Sequence, residues 1–301
     1  MNMQKSCTLC PRYCNVDRDK GEKGICGQSS ELKAARAALH FWEEPCISGK
    51  NGSGTVFFSG CSLHCVFCQN EGIANGTVGK LISVERLAEI FFELEAQGAH
   101  NINLVTPGHF IPQIKNALIL AKKKGLNLPI VYNTSSYESV EALKSLEGLI
   151  DIYLPDFKYM DSELAKKYSH AKDYPQRAKE AIAEMVRQTG EPCFDENGEE
   201  GLMKRGTIVR HLTLPGCLED SKAILKYLYE TYENQIYISI MNQFTPLSNV
   251  EAYPELNRTI TEAEYEELVD YAIELGVERG FIQEGETAKE SFIPDFNCTG
   301  I

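Results

Sequence analysis

From about residue 54 onward, short apolar runs alternate with longer amphipathic stretches. The short runs are Thr55–Ser59, Asn101–Val105, Pro129–Asn133, Ile150–Leu154, Thr207–Leu214 and Ile236–Ile240. Several are rich in β-branched residues, and all read as strands. The stretches between them carry helical periodicity. Ser83–Gln97 opens with a Ser-x-Glu cap-like signal and stops before Gly98, and Ile111–Lys124 stops before Gly125. Ser136–Leu146, Glu180–Gln188, Asp220–Tyr232 and Glu262–Leu275 follow, the last ended by Gly276. Residues 190–206 read as a polar loop, and the chain has neither an internal repeat nor a low-complexity tract.

Regular alternation of strand and helix implies a parallel sheet wound by right-handed crossovers. Six such units fall short of the eight that close a barrel. The predicted fold is therefore α/β, a partial (β/α)6 TIM-like barrel over residues 51–301, with chemistry expected at the C-terminal ends of its strands. Residues 1–30 differ: they are rich in cysteine and charge, poor in apolar periodicity, and carry glycines at 21, 24 and 27. The reading assigns residues 1–50 to a small Cys-rich metal-binding module.

Composition narrows the function classes. With 301 residues, 43% hydrophobic and 24% charged, the chain is of ordinary globular make-up. A formal net charge of −13 repels a nucleic-acid backbone, so no nucleic-acid partner is expected. No apolar run is long enough to span a membrane, and Met1–Lys5 is too polar for a signal peptide. Eleven cysteines then point to a reducing cytoplasm, where clustered thiols serve metal or redox chemistry.

The strongest signal is Gly60-Cys61-Ser62-Leu63-His64-Cys65-Val66-Phe67-Cys68-Gln69-Asn70, directly after the first predicted strand. A cuboidal [4Fe–4S] cluster takes four thiolates, and the C-x3-C-x2-C spacing supplies three, leaving one iron open to substrate. Packing is a poor account of three cysteines in eight positions. A zinc site with His64 as the fourth ligand is strained by the adjacency of His64 and Cys65. A disulfide is disfavoured by the compartment.

This triplet resembles the hallmark of the radical S-adenosylmethionine (SAM) superfamily. The resemblance implies that the open iron chelates SAM's amino and carboxylate groups, and that reductive cleavage yields a 5′-deoxyadenosyl radical. Cys61, Cys65 and Cys68 would be the catalytic cluster ligands, with Phe67 near the adenine. The sequence is most similar to the pyruvate formate-lyase activating enzyme-like branch of glycyl-radical-enzyme activases, through Cys10-Pro11-Arg12-Tyr13-Cys14, Gly60–Asn70, Asn103–His109, Ile152–Tyr159, Val209–Gly216 and Ile238–Pro246. Where most of the superfamily has Gly-Gly-Glu, Thr106-Pro107-Gly108 stands and the glutamate is absent. The carbonyls of Val105 and Thr106 are then the expected acceptors for SAM's amine. Asn133 and Thr134 end the third predicted strand, and Asp156 and Lys158 lie just past the fourth. The resemblance places a carboxylate and a lysine near SAM at these last two positions, able to orient its ribose and carboxylate. It also puts Arg210 against SAM's carboxylate or ribose. The competing reading of these charges is a structural ion pair. Asn242 and Gln243, ending the sixth strand, either face the substrate or form a turn.

Cys7, Cys10, Cys14 and Cys26 form C-x2-C-x3-C-x11-C, a closed four-thiolate set suited to zinc, to an iron centre or to an auxiliary Fe–S cluster. Cys46, Cys193, Cys217 and Cys298 are scattered and read as packing residues. The expected partners are SAM, a protein or peptide substrate such as a glycyl-radical enzyme, and a flavodoxin- or ferredoxin-like electron donor. The alternatives are radical modification of a small molecule or peptide, and a non-catalytic iron–sulfur electron carrier.

Overall fold

A computed structural model describes residues 6–195, 201–246, 250–283 and 294–301. Its strands are β1 (Lys33–His40), β2 (Ser53–Phe58), β3 (Lys80–Leu81), β4 (Ile102–Val105), β5 (Ile130–Thr134), β6 (Ile152–Pro155), β7 (Cys193–Phe194), β8 (Met203–Leu212), β9 (Tyr237–Met241) and β10 (Gly280–Ile282). Its helices are α1 (Pro45–Ser48), α2 (Glu71–Ala74), α3 (Val84–Ala96), α4 (Ile111–Lys123), α5 (Val140–Lys144), α6 (Ser162–Ser169), α7 (Tyr174–Thr189), α8 (Leu218–Tyr232) and α9 (Glu262–Leu275). The sheet order is β10-β9-β8-β6-β5-β4-β2-β1-β3. Strands β2, β4, β5, β6, β8, β9 and β10 run parallel, while β1 adds antiparallel to β2. The six strands expected from the apolar runs are all present. A short seventh, β10, extends the parallel array, and β1 lies outside it.

The period of two sorts the side chains. Val56, Phe58, Ile102, Leu104, Ile130 and Tyr132 face outward and pack with Leu87 and Phe91 of α3 and Ile114 and Leu118 of α4. Val209, Ile238 and Ile240 pack outward with residues of α7, α8 and α9. Their alternates Val131, Ile152, Leu154 and Ile208 pack instead with Cys46 and Ile47 of α1. His40 at the end of β1 pairs with Ser53 at the start of β2. The link from β1 to β2 therefore lies at the N-terminal end of the parallel strands, and α1 plugs the barrel from that end.

Some boundaries differ from the reading of the sequence. The helix expected over Ser136–Leu146 forms only at Val140–Lys144, because Ser136 sits at φ 65° and its hydroxyl donates to the Asp156 carbonyl at 2.6 Å. The helix expected from Glu180 begins at Tyr174, with Pro175 in its first turn. A separate α6 precedes it, capped by Asp161, whose carboxylate accepts from the amides of Glu163 and Leu164. The segment 190–206 contains β7 and the start of β8, and its residues 196–200 lie outside the described residues. Among the described residues no helix is long and apolar enough to cross a membrane.

Candidate active site

The loop leaving β2 turns at Gly60, whose φ of 92° is the left-handed region and where an added Cβ would collide with the Cys26 carbonyl oxygen. A side chain there meets backbone, so the turn needs glycine. Cys61, Cys65 and Cys68 follow and line one cavity of about 410 Å3. The Ser169 hydroxyl donates to Cys65 Sγ at 3.0 Å, and the Leu63 amide to Cys61 Sγ at 3.4 Å. His64 takes a left-handed turn (φ 53°) and pairs through Nε2 with the Ile25 carbonyl at 2.8 Å, so its ring is engaged away from the thiols. Burial pushes the Cys68 thiol up to about 12, helped by the charges of Cys61 and Cys65. Cys65 is raised by burial against the opposing charge of Lys158. A bound cation reverses both effects by favouring the thiolates.

Facing the triplet is a buried charge network. Asp156 Oδ2 accepts from Lys158 Nζ at 2.8 Å, and its Oδ1 from Arg210 Nε at 2.9 Å. Arg210 donates further to Asn133 Oδ1 at 2.7 Å and to Glu43 Oε2 at 2.9 Å. Glu43 Oε1 also accepts from Asn103 and Asn133, each at 3.1 Å. Burial alone would raise the Asp156 carboxyl, but Arg210 and Lys158 outweigh it and hold the group below its usual range. Burial likewise opposes the charge on Arg210, and Asp156, Glu43 and Glu44 overcome it. Asn103, Asn133, Arg210 and Ser239 share the inward register of neighbouring strands. The barrel thus carries a polar floor above its apolar plug.

All the SAM-site residues read from the sequence line this cavity: Phe67, Val105, Thr106, Asn133, Thr134, Asp156, Lys158 and Arg210. Gln243 lines it too, whereas the Asn242 amide donates to Gln283 Oε1. Phe67 meets Tyr159 and Phe244 edge-on at 6.4 and 6.1 Å. His40 at the end of β1, and Trp42, Glu43 and Glu44 from the link between β1 and α1, were not singled out in the sequence and also line it. Glu44 is buried, and its Oε2 has no hydrogen-bond partner among the described residues. The only sequence signal for this floor is an acidic pair ahead of Pro45, a pattern equally typical of a solvated helix start.

Cys7, Cys10, Cys14 and Cys26 stand apart from the cavity, in the N-terminal module. Cys7, Cys10 and Cys26 are buried. Burial raises Cys10 to about 12, with the charges of Cys26 and Cys7 adding to it. The Ile25 amide donates to Cys14 Sγ at 3.4 Å, and Gly24 packs so tightly on that sulfur that a Cβ would sit at 3.0 Å. Four buried or half-buried free thiols in mutual electrostatic range are a donor set that suits a soft metal ion. Among the described residues, no three His, Cys, Asp or Glu side chains are drawn into a closed metal cage, in this module or at the triplet.

Residues 55–196 match the family model described as the Radical SAM superfamily, a span running from β2 past the triplet, Asp156 and Lys158. Together with the partial barrel, the match makes residues 55–196 similar to radical SAM domains, a class that uses a [4Fe–4S] cluster and SAM. An uncharacterized protein of Methanocaldococcus jannaschii is 29% identical over 283 residues, 90% of this chain and 75% of the relative. Among solved structures, Streptococcus suis SuiB bound to the precursor peptide SuiA superposes with a TM-score of 0.50 at 14% identity, covering 75% of this chain and 47% of that one. SuiB bound to S-adenosylmethionine gives a TM-score of 0.50 at 14% identity, covering 76% and 50%. The chain spans about half the length of these solved structures, and at such identity the likeness concerns the fold.

Proposed function

We propose that this protein reductively cleaves SAM at a [4Fe–4S] cluster held by Cys61, Cys65 and Cys68, and uses the 5′-deoxyadenosyl radical to take hydrogen from a glycine of a partner glycyl-radical enzyme. The observation that supports this is the meeting of three free thiols with Asp156, Lys158 and Arg210 in one cavity. Its volume of about 410 Å3 suits a ligand of SAM's size. When bound, the cluster supplies a single electron to SAM through its open iron.

The chain's own groups bind and orient. Lys158 and Arg210 offer cations to SAM's carboxylate, and Asp156 accepts from the ribose hydroxyls. The carbonyls of Val105 and Thr106 would accept from the ammonium, Asn133 and Thr134 would supply further hydrogen bonds, and Phe67 would offer an apolar face to the adenine. Hydrogen abstraction needs no general base, and Asp156 and Glu43 are tied to Lys158 and Arg210. Residues 51–301, with His40, Trp42, Glu43 and Glu44 lining the same cavity, carry this chemistry, and Cys7, Cys10, Cys14 and Cys26 hold a zinc ion or auxiliary iron site. A flavodoxin- or ferredoxin-like protein serves as electron donor. Eleven unpaired cysteines suit a reducing cytoplasm.

The test is anaerobic reconstitution with iron and sulfide, reduction, addition of SAM, and assay of 5′-deoxyadenosine against Cys65→Ala. Product lost in the variant supports the reading. An intact cluster that neither binds nor cleaves SAM overturns it in favour of an electron carrier. A second reading, radical modification of a peptide or small molecule, draws support from SuiB, a structural neighbour solved with a precursor peptide. Electron paramagnetic resonance of an added glycyl-radical enzyme separates the two: a glycyl doublet supports the first, and turnover with no such signal the second.

A further inference from the structure

Three links run from the N-terminal thiols to the loop that carries the triplet. Arg12, between Cys10 and Cys14, donates from Nε to the Ser62 carbonyl at 2.8 Å, with a longer reach of 3.5 Å to Leu63. Its other nitrogens donate to the carbonyls of Ser169 at 3.0 Å and His170 at 2.5 Å. Ser62 and Leu63 lie between Cys61 and Cys65, and Ser169 is the residue whose hydroxyl donates to Cys65 Sγ. The second link is His64 to the Ile25 carbonyl, Ile25 being the residue whose amide reaches Cys14 Sγ. The third is the close approach of the Cys26 carbonyl to Gly60, which leaves no room for a Cβ there.

Around these thiols there is little apolar packing: within residues 6–30 the buried apolar side chains are Leu9, Pro11 and the thiols of Cys7, Cys10 and Cys26, and the segment's other anchor is the buried Arg18, which donates to the carbonyls of His109 and Ser29. A segment with so small a core takes its shape from whatever joins its thiols. The turn holding Arg12 is part of that shape, with the Tyr13 amide donating to the Cys10 carbonyl at 3.1 Å.

We propose that Arg12 is a positioning residue that couples a soft divalent metal at Cys7, Cys10, Cys14 and Cys26 to the geometry of Cys61, Cys65 and Cys68. This rests on reading the N-terminal thiols as a metal site. Metal bound there holds the Cys10–Cys14 turn, the turn aims the guanidinium, and the guanidinium fixes the carbonyls that set two of the triplet thiols. Without metal, the triplet loop loses its clamp.

Amide hydrogen exchange of the full chain tests this, in metal-stripped anaerobic protein with and without one equivalent of zinc. Zinc is expected to slow exchange of residues 7–26 in the native protein, in Arg12→Gln and in Arg12→Lys. It is expected to slow residues 61–68 at least threefold in the native protein, weakly in Arg12→Lys and not in Arg12→Gln. Strand β9 should be unaffected throughout, which separates the effect from general loosening. Indifference of residues 61–68 to zinc in the native protein, or equal slowing in Arg12→Gln, overturns the coupling. Indifference of residues 7–26 overturns the metal-site reading instead, and the coupling with it. As a second readout, Arg12→Gln reconstituted with iron and sulfide should show an altered paramagnetic signal on adding SAM; an unaltered signal counts against the proposal.

Discussion

The Glu43 carboxylate and the Arg210 guanidinium meet at 2.9 Å inside the barrel, across 167 residues of chain. Their side chains are only 8% and 13% exposed, so neither charge can fall back on water. Arg210 is in turn held by Asp156 and Asn133. Glu43 thus sets the orientation of a cation whose other contacts face the cavity. Replacing it by alanine leaves Asp156 as the guanidinium's carboxylate partner but takes the acceptor from two amides, and should destabilise the protein by ~1–3 kcal/mol in denaturant unfolding. Glu43→Gln keeps the shape and should cost less stability, yet weaken SAM binding about tenfold by calorimetry, equivalent to ~1.4 kcal/mol.

Gly60→Ala must place a methyl group against the Cys26 carbonyl in a left-handed turn. The conformational penalty alone is ~1–2 kcal/mol. The expected outcome is a lower melting temperature together with reduced iron content after reconstitution, because the strain falls one residue before Cys61. Normal iron loading would show that the loop relaxes without moving the triplet.

The plug under the polar floor is testable by volume. Ile47 is fully buried and packs with Val131, Ile152 and Ile208. Ile47→Ala should cost ~2–5 kcal/mol, as for other large-to-small core changes. An unfolding free energy within experimental error of the native value would mean that α1 is not part of the core.

Glu138 provides a pH signature. It is buried, accepts from Thr134 Oγ1 at 2.6 Å and from Tyr132 at 3.3 Å, and its Oε2 has no hydrogen-bond partner among the described residues. Burial raises its carboxyl from the ordinary 4.5 to about 7, against those two hydrogen bonds. The folded state therefore keeps a proton that the unfolded chain releases between these two values. Its contribution is fully present below pH 4.5 and is lost as pH rises through about 7, a change of about 3 kcal/mol. Glu138→Gln should flatten the fall in stability across that window. An unchanged slope would assign the dependence to other groups.

The strands were legible because each is a short β-branched run whose inner and outer alternates are both buried, and the observed bounds lie close to the apolar runs. The triplet stood out by its spacing, and Asp156, Lys158 and Arg210 by the family resemblance; the structure brings all six to one cavity. Strand β1 was not legible: Lys33–His40 contains four alanines, a composition that favours helix. It is extended because β2 and the C-terminal segment supply its partners, with the Ala37 amide donating to the Thr299 carbonyl at 2.8 Å and the Cys298 amide to the Ala35 carbonyl at 3.0 Å. Local propensity yields to such tertiary pairing.

By itself, the order of residues determined the alternating α/β scaffold, the three-thiol loop after the first parallel strand and the spacing of the four N-terminal cysteines. These are local signals, carried by period, spacing and breakers within a few residues. Only the tertiary structure decided that Glu43 and Glu44 form the cavity floor and that Arg12 grips the triplet loop. Both depend on burial, which turns an acidic pair or a lone arginine from a solvated surface charge into a group that must find its partner across the fold.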